Sequence, residues 1–204
     1  MPLKPVLILA ALLLCAELPL MAQTAPAAVS GGNQHLEAGA GLSDFDVDWG
    51  HGRMLGGTLW VDWSYNQVPS FLRGVGIEAE WRDISLNRSS TQPPNYRLDT
   101  IGGGVIYTLR RYGNFEPYGK FLLDYGGIDW NNPEPEFDHE TRTVFAPGLG
   151  LKYLIHGNIL VRVDYEYQFW PNIAPMSSGT HILDPQGFTI GVMYDLTGLY
   201  RHSN

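Results

Sequence analysis

The chain has 204 residues, of which 17% are charged, and a formal net charge of −8 with no run of basic residues. That balance excludes a nucleic-acid-binding surface spread along the sequence, and the length allows one domain of useful size. The single cysteine, Cys15, supports no disulfide framework.

The N-terminal stretch "MPLKPVLILAALLLCAELPLMAQ" has Lys4 near its start, an apolar run from Val6 to Leu14 and small residues ending at Ala22. It reads as a secretory signal over residues 1–22, cut after Ala22. A lipoprotein signal would carry Gly, Ala or Ser before its cysteine. Leu14 stands there instead, so removal of Cys15 is expected rather than its lipidation. The next segment, residues 23–33, reads as a flexible lead-in. Beyond the leader no apolar run is long enough for a membrane-spanning helix.

From residue 34 onward the pattern changes to a period of two. Strands are expected near 34–44, 54–65, 74–86, 97–110, 116–127, 142–154, 159–169 and 187–196, each close to the length of a tilted membrane strand. No segment has a period of 3.6. The connections after odd strands are long, as in "NRSSTQPPNY", "GIDWNNPEPEFDHE" and "WPNIAPMSSGTHILDPQ". Those after even strands are mostly short, as in "RYGNF" and "IHGN". An up-and-down barrel with tight turns at one rim and long loops at the other has this asymmetry.

The stretch "ILVRVDYEYQFW" shows the two faces. Ile159, Val161, Val163, Tyr165, Tyr167 and Phe169 share one parity, while Arg162, Asp164, Glu166 and Gln168 share the other. Other strands repeat this division. Glu37, Asp62, Glu78, Glu80, Arg82, Lys120, Asp124, Lys152 and Asp195 lie on the charged parity, together with Gly39, Gly41, Gly76, Gly102, Gly104, Gly148, Gly150 and Gly191. Glycine on a water-facing wall only weakens a strand, whereas in a narrow lumen it makes room. The apolar face carries Tyr65, Tyr107, Tyr153 and Tyr194 near the short-turn rim. Trp81, Tyr125, Tyr167, Phe169 and Phe188 lie near the other. Rings at both borders of an apolar band are the mark of a lipid-facing wall, so the apolar face is expected outside. The fold expected is all-β: an eight-stranded antiparallel up-and-down transmembrane barrel over residues 34–196, with a short tail at 197–204. A soluble lipocalin-like barrel is the rival fold.

The last strand, "GFTIGVMYDL", places Thr189, Gly191, Tyr194 and Leu196 at the spacing of the C-terminal assembly signal of outer-membrane barrels. "EPYGKFLLDYGG" carries the Pro-Tyr-x-Gly of small barrels. On these residues the chain resembles the eight-stranded outer-membrane barrels of the OmpA and opacity-protein type. The resemblance implies a bacterial outer-membrane location, contact with outer-membrane lipid and lipopolysaccharide, and delivery by the barrel assembly machinery. It further implies a monomer with no cofactor and no nucleic-acid partner. The tail "TGLYRHSN" follows the signal. No peptidoglycan-binding domain of the OmpA kind is expected, and with it no wall-anchoring role.

The charges on the inward parity, eight acids against four bases, have two readings. Close carboxylates such as Glu78, Glu80 and Glu166 point to acid–base chemistry in a cleft. In a narrow barrel they point instead to a matched ion-pair network of Glu78, Glu80, Arg82, Lys120, Asp124, Arg162, Asp164 and Glu166. The second is expected. Asp44, Asp46 and Asp48 alternate like the opening of a calcium loop. That motif needs Gly and Glu where Trp49 and Leu55 stand, and no metal site is expected. Glu134, Glu136, Asp138 and Glu140 read as an exposed acidic loop. Ser177, Ser178 and His181 form the sole local Ser/His cluster, with Asp184 as its sole acid. Some eight-stranded barrels modify lipid A, but no catalytic residue is expected here. The function expected is a non-enzymatic barrel with a plugged polar lumen, acting structurally or through its long loops. A narrow pore and a lipid A-modifying enzyme are the alternatives.

Overall fold

The computed structural model describes residues 34–47, 53–65, 68–69, 72–86, 96–129, 139–173 and 181–197. The expected leader and lead-in, and the tail beyond Thr197, lie outside them. Alternation produces the strands β1 (Gln34–Asp46), β2 (Arg53–Tyr65), β3 (Val75–Leu86), β4 (Tyr96–Thr108), β5 (Phe115–Asp129), β6 (His139–His156), β7 (Ile159–Tyr167) and β10 (Gln186–Asp195). These eight close into one barrel in which chain neighbours are sheet neighbours. The first and last strands seal it, pairing from Glu37 with Asp195 to Asp46 with Gln186. The Leu196 N–H donates to the Leu36 carbonyl at 2.9 Å and continues the seam.

Two short turns explain their sequences directly. Gly113 in the β4–β5 turn and Gly157 in the β6–β7 turn have φ of 62° and 58°, values that favour glycine. At the other rim the wall is taller than expected. β5 continues to Asp129 and β6 begins at His139, two and three residues beyond the ends expected at 127 and 142. The "WPNIAPMSSGTHILDPQ" connection also departs from a plain loop. Within it, β8 (Trp170–Ile173) and β9 (His181–Leu183) pair antiparallel as a second sheet.

The two faces of the wall are opposite in kind to those of a water-soluble barrel. Val163 is 41% exposed, and Asp164, the next residue, is 2% exposed. Leu55, Ile77, Ile101, Leu149, Ile190 and Val192 are exposed on the outside, while the charged parity is buried inside. Exposed apolar surface this extensive needs an apolar solvent, and buried charges need partners.

Near the long-loop rim both faces invert. Inside, Phe45, Met54, Ile84, Leu98, Ile128 and Val144 form one apolar cluster with Val47, Trp170 and Leu183. Outside, the positions that carry lipid-facing residues lower down carry ion pairs: Arg53 with Asp44 at 2.8 Å and Arg97 with Asp83 at 2.7 Å. Trp81, registered with Leu59 and Ile101, marks the level of the change, because Asp83 and Asp99 pair one step above it. The upper barrel therefore has an apolar core and a charged exterior, the polarity of a barrel standing in water.

This division predicts how one substitution behaves at two heights on the same outer face. Val163→Arg, in the apolar band, should cost about 2–4 kcal/mol in urea-induced unfolding from lipid vesicles. Ser85→Arg, outward but above Trp81, should stay within about 0.5 kcal/mol. Equal costs would mean that lipid reaches the rim.

Candidate functional site: the barrel interior

Every barrel strand except β4 delivers inward charges. Lys120 of β5 reaches Glu78 and Glu80 of β3 past the intervening β4, which sets Gly104 and Gly102 opposite those two glutamates. Lys152 of β6 registers with Arg162 of β7. All twelve charged residues of the inward parity are buried, and nearly all are paired.

Lys120 is the hub. Its Nζ lies 2.7 Å from Glu80 Oε2, 2.7 Å from Glu166 Oε2, 3.2 Å from Glu78 Oε1 and 3.7 Å from Asp164 Oδ1. The Arg82 guanidinium also grips Glu166, with Nη1 donating to Oε1 and Nη2 to Oε2, and its Nη2 lies 2.6 Å from Glu80 Oε1. Arg162 donates two parallel bonds to Glu78, at 2.9 and 3.0 Å, and one to Asp164 at 2.8 Å. Forked pairs of this kind are the stronger sort, and they satisfy both partners in one geometry. Lower down, Lys152 donates to Glu37 Oε2 at 2.5 Å and Asp62 Oδ2 at 2.7 Å. His35 then lies 3.3 Å from Glu37 and 3.6 Å from Asp195.

Aromatic rings complete the layers. The Arg162 guanidinium lies 4.7 Å from the Trp60 ring centroid and 4.9 Å from that of Tyr118, while Arg82 lies 4.4 Å from Phe45. Tyr118 donates its hydroxyl proton to Asp164 at 3.0 Å. The inward glycines clear space for these rings. A Cβ on Gly39 would stand 2.6 Å from Trp60, one on Gly191 would stand 2.5 Å from it, and one on Gly150 would meet Tyr118 at 2.5 Å.

A polar thread joins this network to the upper apolar core. Trp170 of β8 donates its indole N–H to Gln168 at 3.0 Å, and Gln168 donates to Glu166 at 2.9 Å. Trp60, Tyr118 and Trp170 are the interior residues that parity reasoning passed over, since it looked for rings only on the lipid face. Their signal was present: "LWVDW" breaks the alternation at Trp60, and Tyr118 has the parity of Lys120. Asp124 differs from its neighbours. It is buried, and among the described residues neither of its carboxylate oxygens accepts a hydrogen bond.

The assembly-signal residues divide between the faces. Thr189 is buried and hydrogen-bonded to Ser43 at 2.7 Å, Gly191 packs under Trp60, and Tyr194 and Leu196 are exposed outward. Asp44 is engaged by Arg53, and Asp48 lies outside the described residues. So do Glu134, Glu136 and Asp138, while Glu140 pairs with Arg142. Ser177 and Ser178 lie outside as well; His181 is in β9, and its side chain is not described. Among the described residues, no group of three or more His, Cys, Asp or Glu is arranged to hold a metal ion.

Removing a cation from this interior should be far more costly than removing one from the rim. Arg162→Met leaves Glu78 and Asp164 buried without their partner and should cost about 3–5 kcal/mol. Arg53→Met, from an exposed pair, should cost at most about 1 kcal/mol. Urea titration of vesicle-embedded protein checks both, and comparable losses would deny the interior network its structural weight.

Known proteins agree with this architecture. Ail, the attachment invasion locus protein of Yersinia pestis, is similar at a TM-score of 0.52 and 16% identity, covering 80% of this chain and 98% of that one. Neisserial surface protein A is similar at 0.51 and 13%, covering 79% and 96%. A major outer membrane protein from Thermus thermophilus is similar at 0.51 and 12%, covering 79% and 98%. At these identities the likeness is one of fold. The chain matches no curated protein. The sequence profile of the outer membrane protein beta-barrel domain matches residues 8–195. The chain therefore belongs to the outer membrane protein beta-barrel domain family, and is a bacterial outer-membrane barrel.

Proposed function

We propose that this protein is a non-enzymatic barrel whose interior network closes the lumen, and that it acts structurally or through its long loops. The observation that supports this reading is Lys120. Its ammonium lies within 3.7 Å of four carboxylates drawn from β3 and β7, strands that stand on opposite sides of the lumen and are each two places from its own. Arg162, stacked on Trp60 and Tyr118, fills the layer next to it. An eight-stranded interior is about wide enough for its side chains to fill. Passage of a hydrated ion would require these pairs to separate together.

On the same reading the apolar band is solvated by outer-membrane lipid and lipopolysaccharide. Thr189, Gly191, Tyr194 and Leu196 present the last strand to the barrel assembly machinery, and the barrel works as a monomer. The long connections share one rim, where the charged upper wall lifts them clear of lipid and makes them the surface offered to other molecules.

Purified protein in planar lipid bilayers should show no steady conductance of porin size. Regular large steps from the wild-type chain would contradict the closed lumen. Ser178→Ala and His181→Ala should each leave the lipid A composition of expressing cells unchanged. Loss of a lipid A modification in either variant would establish the enzymatic alternative.

A further inference from the structure

The protein carries a net charge of −8, so a cation with no carboxylate beside it is out of keeping with the rest of the molecule. In the lumen and at the long-loop rim, every described arginine and lysine lies against an aspartate or glutamate. Arg73 and Arg110, at the short-turn rim, do not. Both are exposed, and among the described residues neither guanidinium makes a hydrogen bond or ion pair. The backbone gathers them. The carbonyl of Gly74, a residue at φ 92°, accepts the Thr108 N–H at 2.7 Å. Arg73 therefore stands opposite Leu109 at the end of the β3–β4 ladder, and Arg110 follows one step on. Arg111 comes next, giving its Nε–H to the Gly113 carbonyl at 2.9 Å. Leu72, Tyr107 and Leu109 surround them with exposed apolar surface. The β6–β7 turn of the same rim, residues 156–158, carries no arginine or lysine.

Height on the wall gives these arginines their neighbour. Trp81 registers with Ile101, and Arg110 lies nine residues further along the chain. At about 3.3 Å per residue and a strand tilt of about 40°, that is roughly 23 Å along the membrane normal. The apolar band of an outer-membrane barrel is about 25 Å tall. With lipid ending at Trp81 on one side, Arg73 and Arg110 reach the phosphate level of the other leaflet. We propose that the corner formed by Arg73 and Arg110 is a docking surface for an anionic phospholipid, its phosphate between the two guanidinium groups and its acyl chains along Leu72 and Leu109. Guanidinium groups take phosphate oxygens through parallel N–H bonds, and basic residues at a membrane surface draw anionic lipids to it. A zwitterionic headgroup is the poorer occupant, because it brings an ammonium group of its own toward the arginines. The carboxylate of this sector, Glu116, registers with Lys152 and has the lumen parity, so it is not placed to receive that ammonium. The inference rests on the lipid-facing reading of the apolar band and is independent of whether the lumen conducts.

The test uses Tyr107→Cys and Ile159→Cys, each in a Cys15→Ala background, labelled with a fluorophore and refolded into phosphatidylcholine vesicles. Ile159 is exposed at the same rim on β7, three strands away from β4. The quencher is brominated lipid at a fixed low mole fraction, supplied as phosphatidylglycerol or as phosphatidylcholine. Brominated phosphatidylglycerol should quench the Tyr107 label about twofold more than brominated phosphatidylcholine does. The two lipids should quench the Ile159 label equally. Adding Arg73→Gln and Arg110→Gln should remove the difference at Tyr107 while thermal unfolding stays unchanged, since both side chains are exposed. Equal quenching of the Tyr107 label by the two lipids would overturn the proposal. A preference that survives the arginine variants, or that Ile159 shares in full, would do the same. A Tyr107 label that neither lipid quenches would overturn the membrane placement, and the proposal with it.

Discussion

An eight-stranded wall encloses too little space for hydrated charges, so each charge turned inward must find its counter-charge on another strand. Most features of this protein follow from that constraint. Arg162 reaches from β7 to Glu78 on β3, and Lys120 from β5 to Glu80 and Glu166. Lys152 crosses to Glu37 and Asp62. Each crossing ties strands that are not neighbours in the sheet. The inward glycines meet the same constraint in the form of volume, because Trp60 and Tyr118 lie where Cβ atoms of residues 39, 150 and 191 would be. A one-residue slip in any strand would turn its charges into lipid, so the polar interior fixes register as well as filling space.

The wall polarity reverses at a definite height, and this sets how the barrel sits in its membrane. Below Trp81, apolar side chains face out and charges face in. Above it, Phe45, Ile84 and Leu98 face in while Asp44, Asp83 and Arg97 face out, with exposed Leu55 beside Ser85 and Phe188 beside Asp44 as the apolar exceptions. The upper segment has its own dry core, closed by Trp170 from the β8–β9 pair. The thread from Trp170 through Gln168 to Glu166 links that core to the ion pairs below. The described wall therefore ends, at the long-loop rim, in a short barrel with the polarity of one standing in water.

The fold was legible in the sequence because a period of two is strict: one residue such as Asp164 between Val163 and Tyr165 declares a face, and the aromatic borders declare which face is outside. The inward face of the charges was legible for the same reason, although Asp124 accepts no hydrogen bond there among the described residues. The pairings themselves were not, because they depend on the register between strands. The upper core was missed although its signal was present, in the charges at positions 44, 53, 83 and 97 on the apolar parity. The role of Gly126 was not legible, because a Cβ there would meet the Trp170 ring, which only the folded β8 brings to it. A pair as short as β8–β9 carries too few residues for a period to show.

The central claim is that lipid ends at the level of Trp81, where both faces of the wall exchange polarity. Single cysteines at Ile77, Ala79, Trp81, Asp83 and Ser85, each carrying a fluorophore and placed in vesicles of brominated lipid, measure this most directly. Bromine should quench the labels at residues 77, 79 and 81, and quenching should fall sharply at 83 and 85. Quenching that continues undiminished to Ser85 would contradict the account.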